Sequence, residues 1–306
     1  MNRVIILLGP TGVGKTGVSI LLAKELKTEI ISADSMQIYR HMDIGTAKPS
    51  KEERTIVKHH MIDIVNPWKS YSTGKYITAV IPIIDKLHGK VKIPIVVGGT
   101  GLYITAMTRG IFSGPPADWT LREELLSMEK EERGSLYNYL KELDTDAAGK
   151  ITSNDTRRII RALEVCLKSN TSISEMQKKL TQPLPYDFIK IGLTRDRKEL
   201  YRMIEKRVAI MIESGLVEEV RNILTINPDR TPMQAIGYKE IAMYLYGDIT
   251  LEEAIRLIKR GTKRYAKRQF TWFRKEEGIH WIDITGIYDN HEAFMRVYDV
   301  LKSITK

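Results

Sequence analysis

The chain has a single cysteine, Cys166, among its 306 residues. An intramolecular disulfide therefore cannot form, and a zinc site built on several cysteines is excluded. Long apolar runs are also missing, because the opening run Val4–Leu8 stops at Gly9, far short of the ~20 residues that a membrane-spanning helix needs. These absences argue against a secreted or membrane protein, and we expect a cytoplasmic one with no membrane partner.

Positive charge is what the chain has in excess. Its 48 Lys and Arg residues outweigh 38 Asp and Glu, which gives a formal net charge of +10. Hydrophobic residues make up 42% of the chain, so a sizeable core can form. The charge favours a polyanionic partner if it is concentrated on one surface.

A phosphate-binding loop follows the first apolar run. Glycines in such a loop let backbone N–H groups turn onto phosphate oxygens, a lysine adds positive charge, and the final hydroxyl can bind Mg²⁺. The loop predicts a ligand with two linked phosphates, although a glycine-rich turn without function is the alternative. Eight consecutive residues fit the pattern G-x-x-x-x-G-K-[ST]: Gly9, Pro10, Thr11, Gly12, Val13, Gly14, Lys15 and Thr16.

The order of apolar runs and helical patterns predicts an α/β fold, a P-loop parallel sheet with flanking helices. We expect an inserted helical domain between two proline clusters, and a helical C-terminal region. The predicted strands are 4–8, 29–32, 93–97 and 188–193, with a short element near 279–284. The predicted domains are a first part of the core at 1–113, the insertion at 114–185, and a return strand with basic helices at 186–306.

Two polar residues follow strands at the same predicted edge of the sheet. Asp34 could act as general base toward a hydroxyl or an amine, and a turn or cap role is the alternative. Thr100 lies in the segment 98–101, whose three glycines would permit close approach of a ligand. A tight strand-to-helix turn explains that segment equally well.

The positive charge is concentrated in segment 256–275, which has nine Lys or Arg and no acidic residue. On a helix these residues form two adjoining rows, a pattern that favours nucleic-acid phosphates, with nearby aromatic rings available to unpaired bases. A smaller cluster at 157–161 follows two possible helix caps, Asn154 and Asp155, and Arg161 could instead pair with Glu164. One arginine near the last core strand could close over a diphosphate. The positions of the candidates in the sequence do not decide among Arg195, Arg197 and Arg207.

Taken in order, these motifs resemble the tRNA dimethylallyltransferase family, also called tRNA isopentenyltransferases, over nearly the whole chain. The matching segments are 9–16, 34–37, 98–103, 161–165, 236–240 and 267–274. The resemblance implies transfer of a dimethylallyl group from dimethylallyl diphosphate to N6 of the adenosine 3′-adjacent to the anticodon, assisted by Mg²⁺. It also implies catalytic roles for Asp34 and Thr100, a diphosphate site at the loop, and a metal contact at Thr16.

The resemblance further implies a tRNA-binding surface, and we expect the protein to act as a monomer on the anticodon stem-loop. The main alternative is a P-loop kinase of a small molecule that uses ATP, with a non-enzymatic RNA-binding protein more distant. The residues that the resemblance assigns to tRNA are Asp34, Ser35, Met36, Gln37, Thr100, Arg122, Arg157, Arg158, Ile159, Ile160, Arg161, Gly237, Tyr238, Lys239, Lys267, Arg268, Gln269, Trp272 and Arg274.

Overall fold

The structure is a computed structural model that describes residues 2–112 and 114–305. The chain divides into a larger unit, Met1–Thr105 with Pro185–Lys306, and a smaller unit, Ala106–Leu184. None of the helices formed by the described residues is both long and apolar enough to cross a membrane.

The strands of the larger unit form one parallel sheet in the order β3-β2-β4-β1-β5-β6. The predicted α/β class is confirmed, and each predicted strand overlaps an observed one. Sequence patterns do not reveal β3, because a two-residue strand has no periodicity. Within the described residues the strands are β1 (Arg3–Leu8), β2 (Ile30–Ala33), β3 (His59–His60), β4 (Ile95–Gly98), β5 (Asp187–Thr194) and β6 (Ile279–Asp283).

Helices make up most of the remaining chain. The described residues form α1 (Lys15–Glu25), α2 (Lys51–Ile56), α3 (Thr73–His88), α4 (Gly101–Thr108), α5 (Trp119–Glu131), α6 (Ser135–Leu143), α7 (Thr145–Lys150), α8 (Thr156–Ser169), α9 (Ile173–Leu180), α10 (Arg197–Glu213), α11 (Leu216–Thr225), α12 (Tyr238–Leu245), α13 (Leu251–Phe273) and α14 (Asn290–Thr305). A short 3-10 turn covers Pro232–Gln234.

The register of the sheet brings three loops together at one edge. Leu8 at the end of β1 lies opposite Gly98 at the end of β4, and Gly98 lies opposite Ala33 at the end of β2. The phosphate loop, Asp34 and the turn after β4 therefore begin side by side. In parallel sheets this carboxyl edge is where ligands bind.

The C-terminal helix α14 completes the core on one face of this sheet, and sequence patterns did not predict it. Its Phe294, Val297 and Leu301 are buried in the same apolar cluster as Leu22 of α1, and each such side chain contributes roughly 1.5–3 kcal/mol on burial. Because α1 carries the phosphate loop at its start, α14 supports that loop from behind.

The smaller unit is organised around a buried carboxylate, Glu164 of α8. Its oxygens accept two hydrogen bonds of 2.8 Å from Arg122 and one of 2.7 Å from the Asp118 backbone N–H, and Arg161 also donates to it. Burial acts to raise the pKa of Glu164, but these hydrogen bonds outweigh it, so the pKa lies below the ordinary 4.5. The pairing of Arg161 with Glu164, one of the two sequence interpretations, is thus present.

We expect Glu164→Gln to lower the free energy of unfolding of this unit by about 3–5 kcal/mol, because two arginines lose a buried partner. The wild-type contribution is fully present above pH 4.5, the ordinary pKa of Glu, and is lost as pH falls through the lowered pKa of the folded state. Urea denaturation of the wild type and of Glu164→Gln at several pH values measures this difference in the free energy of unfolding. The exposed Glu175→Gln is the control, and equal stability of Glu164→Gln and control would contradict the prediction.

Candidate active site

A cavity of about 300 Å³ lies against the phosphate loop at the carboxyl edge of the sheet. The loop joins β1 to α1, as the sequence pattern predicts. Gly12 and Gly14 have φ angles of +83° and +112°, a left-handed conformation that favours glycine and turns the backbone around the cavity. Lys15 and Thr16 both line this first cavity.

The pKa of Lys15 is influenced by two other charged residues, Arg207 and Asp34. Its Nζ donates to the carbonyl oxygens of Gly9 (2.8 Å) and Pro10 (2.9 Å). Burial and the neighbouring Arg207 lower the pKa of Lys15 to about 7, against the opposing effect of Asp34. The lysine can therefore gain a proton when an anion binds at neutral pH.

The structure distinguishes the three candidate arginines. Arg195 is buried and pairs with Glu199, while Arg197 is exposed and lies over the ring of Tyr201, 5.3 Å from its centroid. Arg207 lines the cavity, and its guanidinium makes no hydrogen bond or ion pair with the parts of the chain that the structure describes. A cationic group of this kind, held in place without a partner, is suited to an anionic ligand.

Asp34 has the turn role that its sequence position offered as an alternative, and its place in the cavity leaves the role of general base a prediction. Its Oδ1 accepts hydrogen bonds from the backbone N–H groups of Met36 (2.9 Å) and Gln37 (3.3 Å), which fixes the turn after β2. Its Oδ2 has no protein donor among residues 2–112 and 114–305. Since Asp34 also lines the cavity, this second oxygen can accept a proton from a ligand.

Thr100 belongs to the same network. Its Oγ1 accepts a hydrogen bond of 3.0 Å from the Ser35 backbone N–H, so the turn after β4 is tied to the turn after β2. Tyr265 of α13 also hydrogen-bonds to Thr100, and burial raises the pKa of this tyrosine above its ordinary value. Tyr265 is one of the aromatic residues that the sequence offered as a surface for unpaired bases, and it lines the cavity.

Two of the glycines around Thr100 pack closely against α13, while Gly98 and Gly99 also line the first cavity, so close approach of a ligand to this segment stays a prediction. A Cβ at Gly99 would lie 2.2 Å from Nε2 of Gln269, and one at Gly101 would lie 2.4 Å from the ring of Trp272. Both partners come from α13, which can approach the sheet edge only where side chains are absent.

Helix α13 has an inner and an outer face. On the inner face, Gln269 accepts from the Thr11 N–H and donates to the Gly99 carbonyl oxygen, both at 2.8 Å, and Trp272 donates to Thr105 at 3.0 Å. The outer face carries exposed basic residues, and two more follow the end of the helix: Arg256, Arg260, Arg264, Lys267 and Arg268, then Arg274 and Lys275. The predicted basic stripe is present, whereas the Gln269 side chain is buried and bonds Thr11 and Gly99, so its assignment to tRNA stays a prediction.

A second cavity of about 260 Å³ adjoins the first, and Ser35 and Met36 contribute to its wall. Many of its other residues are apolar, such as Val208, Met211 and Ile258. The residues that line both cavities are Thr11, Asp34, Thr46, Ala47, Arg207 and Tyr265. The two cavities thus meet beside the aspartate and the partnerless arginine.

Three further side chains that the resemblance assigns to tRNA are buried, and their assignment to tRNA stays a prediction. Ile159 and Ile160 pack in the core of the smaller unit, and Tyr238 is fully buried in the larger one. Arg157, Arg158 and Lys239 are exposed, and their assignment stays a prediction.

A metal ion at this site would depend on the ligand for most of its coordination. The described residues contain no group of three or more His, Cys, Asp or Glu side chains that could hold one. Thr16, whose side chain carries a hydroxyl oxygen, lines the first cavity. One protein oxygen together with diphosphate and water oxygens is a donor set that suits Mg²⁺.

Comparison with known proteins agrees with this geometry. The family model described as "IPP transferase" matches residues 37–276, and one described as "Isopentenyl transferase" matches residues 2–64. A tRNA dimethylallyltransferase of Thermodesulfovibrio yellowstonii is 59% identical over 99% of this chain and 98% of its own length. That of Alkaliphilus oremlandii is 48% identical over 95% and 94%.

Solved structures show the same fold. The full-length tRNA isopentenylpyrophosphate transferase from Bacillus halodurans is 40% identical, with a TM-score of 0.74 over 99% of this chain and 96% of its own. A eukaryotic dimethylallyltransferase acting on tRNA is 28% identical, with a TM-score of 0.79 over 99% and 80%.

Proposed function

Since this chain belongs to the IPP transferase family, we propose that its joined cavities bring a prenyl diphosphate and an adenine base of tRNA together. The enzyme transfers the dimethylallyl group of dimethylallyl diphosphate to N6 of the adenosine 3′-adjacent to the anticodon and releases diphosphate. The observation that carries this proposal is the meeting of the two cavities beside Asp34 and Arg207.

In the proposed reaction, the diphosphate binds the loop 9–16 in the first cavity. The C1–O bond breaks and its electron pair moves to the diphosphate oxygen, where Lys15 and Arg207 stabilise the added charge. The N6 lone pair forms the new bond to C1. Magnesium bound to the diphosphate and to Thr16 would supply further charge stabilisation.

Asp34 accepts the proton that N6 must lose. The lone pair of an adenine amine is delocalised into the ring, so a base that takes the proton during attack makes the amine a better nucleophile. The backbone hydrogen bonds to Oδ1 hold the carboxylate in one orientation, and Oδ2 is left for N6. To reach it the base must leave its stack and enter the second cavity.

The RNA itself is proposed to bind the outer face of α13. The cluster Arg157–Arg161 and Arg122 of the smaller unit are proposed as additional contacts. We propose that the enzyme acts as a monomer.

The comparisons give no support to the small-molecule kinase alternative. Incubation of the protein with an anticodon stem-loop and either labelled dimethylallyl diphosphate or γ-labelled ATP tests the choice directly. We expect label on the RNA from the prenyl donor only. Label transferred from ATP to any acceptor, with none from the prenyl donor, would reject the proposal.

Binding of dimethylallyl diphosphate at pH 8 should be accompanied by uptake of a proton. Lys15 is largely neutral above its pKa of about 7, and a bound diphosphate favours the charged form. Calorimetry in buffers of different ionisation enthalpy measures the uptake, which should disappear near pH 5.5, where the lysine is already charged. Affinity should weaken as pH rises above 7, and a pH-independent affinity with no uptake would contradict the prediction.

Lys267→Ala should weaken binding of all anticodon stem-loops to a similar degree, because a phosphate contact carries no sequence information. The binding constant K falls as salt is added, and the magnitude of the slope of log K against log salt concentration should decrease by about one. Lys302→Ala on α14 removes the same charge elsewhere and is the control. Identical salt slopes for the two variants would exclude Lys267 from the RNA interface.

A further inference from the structure

The loop 43–47 is part of the wall that the two cavities share. Thr46 and Ala47 line both cavities, and Gly45 lines the second. From the cavity side, Gln37 Nε2 donates to the carbonyl oxygens of Thr46 (3.3 Å) and Ala47 (3.2 Å). The position of this loop therefore sets the width of the passage between the cavities.

From behind, the loop is held by a single carboxylate, Glu219 of α11. Its Oε2 accepts from the backbone N–H groups of Asp43 (2.9 Å) and Ile44 (2.8 Å), and its Oε1 accepts from that of Gly45 (3.1 Å). Three consecutive N–H groups that converge on one anion form a charge-assisted arrangement stronger than neutral hydrogen bonds. Glu219 itself lines neither cavity.

Tyr238 completes this contact. Its hydroxyl donates to Oε1 of Glu219, and burial with the adjacent carboxylate raises the pKa of Tyr238, so the hydroxyl stays protonated. The tyrosine ring also packs on the loop, since a Cβ at Gly45 would lie 2.4 Å from it. The motif that the resemblance assigned to tRNA thus fixes a wall of the active site.

We propose that Glu219 is a positioning residue for prenyl transfer, which acts through loop 43–47 to let N6 approach the allylic carbon. The inference rests on the proposed site. A loop that moves by about 1 Å would misalign the reactants, which can cost on the order of 100-fold in rate.

The test compares Glu219→Gln with Glu218→Gln, because Glu218 is the neighbouring exposed residue and pairs with Arg221 at the surface. The glutamine NH₂ cannot accept from the loop N–H groups, so Glu219→Gln should lower kcat by about 10- to 100-fold. Affinity for dimethylallyl diphosphate without RNA should match that of Glu218→Gln, because the phosphate loop is untouched. Gly45→Ala displaces the same loop by a different change, because the added methyl group would meet the ring of Tyr238, and it should give the same pattern.

Turnover of both Glu219→Gln and Gly45→Ala equal to that of Glu218→Gln would overturn the inference. Equal losses of kcat, diphosphate affinity and thermal stability in both would also overturn it, because they would indicate general unfolding. Should Glu219→Gln fail to fold, Gly45→Ala decides alone. Asp34→Asn is measured in the same assay, and full turnover of that variant would overturn the proposed site itself.

Discussion

Asp34→Asn should reduce the turnover number by about 10²- to 10⁴-fold, the usual contribution of a positioned general base. The asparagine Oδ1 can still accept the two backbone hydrogen bonds that fix the turn after β2. Only proton acceptance is lost, so affinity for dimethylallyl diphosphate and for the anticodon stem-loop should remain near wild type. Single-turnover rates and equilibrium titrations separate these quantities.

Asp34→Ala is the informative companion, because it removes the turn as well as the base. We expect it to lose RNA affinity in addition to turnover. An Asp34→Asn enzyme with wild-type single-turnover rate would show that another group accepts the N6 proton.

Arg207→Gln should lower the single-turnover rate by about 10²- to 10³-fold, the typical effect of removing one donor that stabilises developing charge. The guanidinium lines both cavities and has no acceptor among the described residues, so its role is directed to the ligand. Arg197→Gln is the matched control, because Arg197 is an exposed residue of the same helix. Similar rates for the two variants would contradict the assignment of Arg207 to the diphosphate.

The sequence predicts which loops meet at the carboxyl edge of the sheet, because short apolar runs mark the strands. Four apolar runs mark β1, β2, β4 and β5, and parallel pairing places the residues that follow them at one edge. The amino-acid pattern alone therefore places the phosphate loop beside Asp34. The helix α14 escaped prediction, since its role is to cover α1, a contact between the two ends of the chain.

The rest of the site depends on contacts between residues far apart in sequence. Arg195, Arg197 and Arg207 were equally plausible candidates from their positions in the sequence. Only the contacts of each side chain in the structure distinguish Arg207. Gln269 was assigned to tRNA through the family resemblance, and only the structure reveals that its side chain bonds Thr11 and Gly99. Glu219 gave no signal at all, because the loop that it holds is about 175 residues away.

A crystal structure of the enzyme with an unreactive thio analogue of dimethylallyl diphosphate and an anticodon stem-loop tests the central claim most directly. The diphosphate should lie in the loop 9–16, with C1 about 3–3.5 Å from N6 of the extruded adenine. Asp34 Oδ2 should lie within about 3.2 Å of N6. An adenine bound away from Asp34, or a diphosphate bound outside the loop, would contradict the proposed reaction.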